Sequence, residues 1–112
     1  SDPFHPRQTG SVRIGGMAAR TPHPKAGKVN GAPQMLEISR DGRRIYMTNS
    51  LYSALDDQFY PEGMRGWIAK VDVNPAGGIA LDPNFFIPFE GERPHQIHLE
   101  GGDCSSDSFC YP

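Results

Sequence analysis

QMLEISRDGRRIYMTN, residues 34–49, consists of two β-rich runs around a tight turn. Gln34 to Ser39 and Arg44 to Asn49 are rich in residues that favour extended backbone, and Arg40-Asp41-Gly42-Arg43 lies between them. Asp-Gly supplies the positive-φ positions that short hairpin connections demand. The stretch is therefore read as a β-hairpin turning at Asp41-Gly42.

Working outward, the C-terminal side continues in the same style. Residues 50–65 are a long excursion rich in aromatic and acidic side chains, with no convincing amphipathic helix. Gly66 to Val73 (GWIAKVDV) is the next strand, and period-two alternation places Trp67, Ala69, Val71 and Val73 on one face. Asn74-Pro75-Ala76-Gly77-Gly78 is a turn. Ile79 to Leu81 and Phe85 to Phe89 are short strand candidates, and Pro94 to Leu99 (PHQIHL) is the last. On the N-terminal side, residues 1–10 form a turn-rich lead-in. Ser11 to Ile14 is a brief strand candidate stopped by Gly15-Gly16, and residues 17–33 are a Pro- and Gly-interrupted loop.

A hairpin followed by two further strands is one up-and-down unit of four strands, the pattern of a propeller blade. A weak internal repeat agrees with this. Pro33-Gln34-Met35-Leu36-Glu37-Ile38 aligns with Pro94-His95-Gln96-Ile97-His98-Leu99, so that Leu36 falls on Ile97 and Ile38 on Leu99. Each copy is read as the inner strand of a blade. The expected architecture is all-β, a β-propeller fragment of about one and a half blades of a larger propeller. Residues 1–33 form the end of a blade and a loop, residues 34–93 one blade, and residues 94–112 the inner strand of the next blade and a tail. Such a piece leaves blade faces open, because repeat units bury their apolar surfaces against neighbours. A small self-contained β-sheet domain is the competing reading.

Composition points the same way. Thirteen glycines and eleven prolines among 112 residues make about a fifth of the chain, against a usual ~12%, and both residues interrupt regular elements rather than extend them. The formal net charge is −2, and no clustered positive surface suited to a nucleic-acid backbone is expected. The basic residues Arg40, Arg43 and Arg44 read as a solvated hairpin tip. No apolar stretch approaches the ~18 residues of a membrane-spanning helix. No leader is evident, which says little for a chain beginning Ser1-Asp2-Pro3 without an initiator Met. Cys104 and Cys110 do not fix a redox compartment. A local disulfide, free thiols and a metal role all stay open, and localisation, periplasmic or cytoplasmic, is undetermined.

The most specific runs are Leu51-Tyr52-Ser53, Asp57-Gln58-Phe59-Tyr60-Pro61 and Gly101 to Asp107 (GGDCSSD), accompanied by Asp2-Pro3, Thr9-Gly10, Gly15-Gly16, Pro33-Gln34 and the Asp41-Gly42 hairpin. On these residues the chain resembles the C-terminal quarter of the selenium-binding protein / methanethiol oxidase family, over nearly its whole length. It departs from the family pattern at Ala32, where a second Gly is usual, and at Leu55, where Trp is usual. Ser108 to Pro112 is a variable tail. The resemblance implies a propeller-like enzyme that oxidises methanethiol with dioxygen and water to formaldehyde, hydrogen sulfide and hydrogen peroxide. It implies copper as cofactor in bacterial members, and selenium bound through a cysteine upstream of the residues present here. The implied partners are a small-molecule thiol substrate and the remaining propeller blades of a longer chain, with no nucleic acid and no membrane span.

His95 is the first metal-ligand candidate. It begins the expected last inner strand, matches a histidine position of the family, and carries an imidazole suited to copper. The structural alternative is a histidine that hydrogen-bonds a neighbouring blade. His98, three residues on, would face the opposite way in a regular strand and is a weaker candidate. Asp103 and Cys104, with Asp107, lie in a Gly-led loop. A thiolate suits Cu(I) and a carboxylate can orient a ligating histidine, yet Asp and Ser are also ordinary turn-capping residues. Asp56, Asp57, Gln58 and Tyr60 sit in the excursion, where function or simple packing of the loop are both open. His5 and His23 lie in Pro-rich loops and are expected at the surface. Three functions compete: a copper-dependent methanethiol oxidase, a non-enzymatic selenium-binding or protein-interaction propeller, and an inactive gene remnant.

Overall fold

The computed structural model describes residues 2–16, 21–49 and 53–101. Its elements in chain order are β1 (Pro33–Ile38), β2 (Arg44–Asn49), α1 (Ser53–Phe59), β3 (Gly66–Val73) and β4 (Ile79–Phe89). The four strands form one antiparallel sheet in the order β1-β2-β3-β4, the up-and-down meander of a propeller blade.

The hairpin turns where expected. Gly42 takes φ 68°, a conformation that costs glycine nothing. Ser39 and Arg44 close the turn, with the Ser39 N–H donating to the Arg44 carbonyl at 3.0 Å. Inside it, the Asp41 carboxylate accepts from the Ser39 hydroxyl at 2.6 Å and from the Arg43 N–H at 2.9 Å. Those bonds, the Ser39 hydroxyl first, hold the Asp41 carboxyl below the usual carboxylate range.

Cross-strand partners share a face of the sheet, so the register identifies the core. Ile45 pairs with Val71, Met47 with Ala69, and Ala69 in turn with Phe86, while Val71 faces Leu81 and Val73 faces Ile79. Trp67, Ala69 and Val71 are almost wholly buried on that face, as the alternation predicts. The N-terminal loops cover them. Ile14 and Val29 join Met47, Trp67, Ala69, Val71 and Phe86 in one cluster, with Val12, Ile45, Ile79 and Leu81 at its margin. Two polar staples hold this cover in place. The Trp67 indole N–H donates to the Asn30 carbonyl at 2.8 Å. The His23 ring bonds the Asp82 carbonyl through Nε2 at 3.1 Å and packs 4.9 Å from the Phe86 ring.

Several expectations need correction. Ser11 to Ile14 is not a strand. It crosses the sheet face as irregular chain, and the nearest pairing is an isolated bridge between Gly15 and Thr21. The candidates at 79–81 and 85–89 are one strand with an irregularity opposite Ala69 and Val71. Pro83 is tolerated there because, among the described residues, β4 is an edge strand with no outer partner to lose. Pro94 to Leu99 forms no strand, since within the described residues it meets no partner to complete a ladder. The 50–65 excursion contains α1, seven residues or about two turns. Its apolar signal is the single pair Leu55 and Phe59, one turn apart, too short to stand out as periodicity. Finally, His23 is fully buried rather than at the surface.

Candidate functional site

The register places the start of β1, the end of β2, the start of β3 and the end of β4 at one end of the sheet: Pro33 faces Asn49, Thr48 faces Ile68, and Gly66 faces Phe89. The excursion carrying α1 also leaves from and returns to this end. Asn49, fully buried, closes its base: its carboxamide oxygen accepts from the Trp67 N–H at 2.6 Å and its amide nitrogen donates to the Arg65 carbonyl at 2.8 Å.

Residues 92–95 are drawn over the same end. Arg93 donates from its guanidinium to the Met64 carbonyl. The Thr48 hydroxyl, itself buried, donates to the His95 carbonyl at 3.2 Å. Gly66 is required beneath this crossing, because a Cβ there would lie 2.8 Å from Pro94 Cδ and closer still to the Glu92 carbonyl. The backbone of His95 is thus fixed beside β2, and its side chain is exposed at the sheet end. His98 is exposed as well. Because their segment is not a strand, the strand-alternation argument for opposite faces does not govern them. Gln34, which the repeat aligns with His95, is exposed at the start of β1.

The other candidates divide. Asp103, Cys104, Asp107 and Cys110, with Leu51 and Tyr52, lie outside the described residues. Asp57 and Gln58 are exposed on α1, and Asp56 is half-buried. Burial first, and then the Asp56 charge, push the Tyr60 phenol above its usual range, so it remains a proton donor. His5 is exposed and bonded to Asp2 at 2.6 Å. Among the described residues, no group of three or more His, Cys, Asp or Glu side chains is arranged to hold a metal ion.

Sequence reasoning missed two features. His23 is read as a surface residue from its Pro-rich surroundings, yet its Nδ1 accepts the Lys25 N–H at 3.0 Å while Nε2 bonds Asp82. Accepting at one nitrogen and donating at the other is the pattern of a neutral imidazole protonated on Nε2. No local motif announces that burial. The second is a cavity of about 880 Å³ between the 25–30 loop, the 59–63 turn, the start of β3 and the end of β4. It is assembled from segments far apart in sequence and has no linear signature.

A four-stranded antiparallel blade with loops folded over one face defines an all-β propeller fragment. The comparisons with known proteins agree. The family described as 56kDa selenium binding protein (SBP56) matches residues 1–110. The chain is 41% identical to the methanethiol oxidase of Homo sapiens, over 96% of its own length and 28% of that protein's. It is 37% identical to selenium-binding protein 1 of Arabidopsis thaliana, over 95% of the chain and 27% of the relative. It is also similar to the X-ray structure of a hypothetical selenium-binding protein from Sulfolobus tokodaii, with 59% identity and a TM-score of 0.85, covering 100% of this chain and 25% of that one. The chain belongs to the SBP56 selenium-binding protein family. It spans about a quarter of the length of the relatives it matches.

Proposed function

We propose that this chain is part of a methanethiol oxidase, an oxidoreductase that converts methanethiol, dioxygen and water into formaldehyde, hydrogen sulfide and hydrogen peroxide. The observation that carries the reading is its 41% identity, across 96% of the chain, to a protein named methanethiol oxidase. The reaction balances with sulfur leaving as sulfide, carbon oxidised to the aldehyde level and dioxygen reduced to peroxide.

Within this reading, His95 would be the first ligand that the chain offers to a copper ion. Copper would supply one-electron exchange with dioxygen. An imidazole at the sheet end, with its backbone held by Thr48, presents a nitrogen donor of the right type. The described residues do not complete a ligand set, so further donors would come from Asp103 and Cys104 or from other blades. The contribution derived for this chain is therefore positional: Thr48 and Arg93 fix the His95 segment, and Asn49 fixes the base of the excursion beside it.

The test is made in the protein carrying this segment together with the remaining blades. His95→Ala is expected to lower copper content and methanethiol turnover together, with His5→Ala as the control. Unchanged copper and unchanged turnover would make His95 structural and move the metal elsewhere. A second reading, a non-enzymatic selenium-binding propeller, rests on the relative named selenium-binding protein 1. It is favoured if the wild-type protein retains selenium stoichiometrically but turns over no methanethiol.

A further inference from the structure

The cavity at the sheet end has a composition that the oxidase reading does not use. Three cationic residues line it, Lys25, Lys28 and Arg65, against one carboxylate, Glu62. Its walls include the aromatic residues Trp67 and Phe59. Among the described residues, none of the three cations is matched with a carboxylate. Uncompensated positive charge around aromatic walls is complementary to a flat organic anion. We propose that this cavity is a binding site for a small aromatic carboxylate, with the ring against the aromatic wall and the carboxylate toward Lys25, Lys28 and Arg65.

The walls are held in place by buried side chains. The Lys25 N–H is bound to the buried His23 ring at 3.0 Å, and the Arg65 carbonyl to the buried Asn49 amide at 2.8 Å. The Asn30 amide donates to the Gly63 carbonyl at 2.8 Å, tying the loop on one side to the turn on the other. The indole N–H of Trp67 ends on the Asn30 carbonyl. The 25–30 loop, the turn at Gly63 and the start of β3 are thereby tied to the sheet or to one another. Such a site loses little ordering entropy when a ligand arrives. Tyr60, also in the lining and held protonated by burial and the Asp56 charge, adds a neutral donor beside the cations. At about 880 Å³ the volume lies within the range of small-molecule sites and far exceeds what methanethiol would fill. The proposal rests on the cavity's own lining and not on the proposed reaction.

The experiment is calorimetric titration of the protein carrying this segment and the remaining blades, with 2-naphthoate as probe and 2-naphthalenemethanol and inorganic phosphate as comparisons. One naphthoate should bind per protein. The neutral alcohol and phosphate should each bind at least roughly tenfold more weakly, as expected for losing the charge-assisted bonds or the ring contact. Lys28→Gln and Arg65→Gln should each weaken naphthoate by about tenfold, and Glu62→Gln should tighten it by removing the opposing charge. The proposal is overturned if naphthoate does not saturate a site, as it would not were the cavity filled by the rest of the longer protein. It is equally overturned if the alcohol or phosphate binds as tightly, or if the charge variants leave the affinity unchanged.

Discussion

β3 and β1 belong to the same sheet, β3 paired on both sides and β1 with β2 alone, and their side chains sit in opposite environments. On β3, Trp67, Ala69 and Val71 are 2%, 0% and 1% exposed. On β1, Met35, Leu36 and Ile38 are 41%, 61% and 44% exposed. The register makes the contrast sharper. Leu36 pairs with Met47 and Ile38 with Ile45, so both lie on the face that the N-terminal loops cover further along. The cover ends before it reaches β1. The ladder completes itself within this chain, whereas side-chain packing on the β1 side is unfinished. Cooperative burial, not backbone pairing, is what a blade obtains from its neighbours.

The largest effect expected from this contrast is at Trp67. Its packing partners and its indole acceptor all lie in this chain, so Trp67→Ala should cost about 3–5 kcal/mol. The measurement is urea unfolding of the protein carrying the remaining blades. Leu36→Ala in the same protein sharpens the comparison. If another blade covers β1, the loss rises to about 2–5 kcal/mol. A loss within about 0.5 kcal/mol would show that this face stays open to solvent.

His23→Ala is expected to cost about 2–3 kcal/mol, by removing a buried ring and leaving the Asp82 carbonyl and Lys25 N–H without their partner. Chemical denaturation checks it, and a neutral outcome would mean that the loop cover contributes little to the β3 side. The smallest effect is expected on the opposite face. There Lys70 bonds Asp82 at 2.8 Å and Asp72 at 3.2 Å, with the Phe85 ring 5.9 Å away. The Lys70 bond holds the Asp82 carboxyl below its usual range, and the Asp82 bond in turn raises the Lys70 ammonium. A lowered carboxyl pKa contributes stability above the ordinary carboxylate value of ~4 and loses it as pH falls through and below that range. A raised ammonium pKa contributes stability below the ordinary value of ~10.4 and loses it as pH rises beyond. Asp82→Asn should cost about 1 kcal/mol near neutrality and flatten the stability profile at both extremes. A variant with the parent's pH profile would contradict the assignment.

How much of this was legible depended on whether the information was local. Asp41-Gly42 announces its hairpin because the turn chemistry occupies adjacent residues. The alternation from Trp67 to Val73 announces β3 because one face of it is dry. α1 is not legible, since two turns carry one apolar pair, and Pro94 to Leu99 reads as a strand from propensity, which cannot supply the partner that a ladder needs and that is missing among the described residues. His95 could be singled out from the repeat and the family resemblance. Its position beside Thr48 could not, as that bond joins residues 47 apart in sequence. Burial of His23 and the cationic cavity likewise arise from chain segments that meet only after folding.

Asn49 works as a clasp where the chain leaves the sheet. One carboxamide, bonded to Trp67 N–H and Arg65 carbonyl, does at the base of the 50–65 connection what another stretch of ladder would otherwise do. The pairing of β2 with β3 is thereby anchored at the point where the connection leaves and rejoins the sheet. The clasp therefore sets the register of β2 on β3 at the same end of the blade where the His95 segment is held.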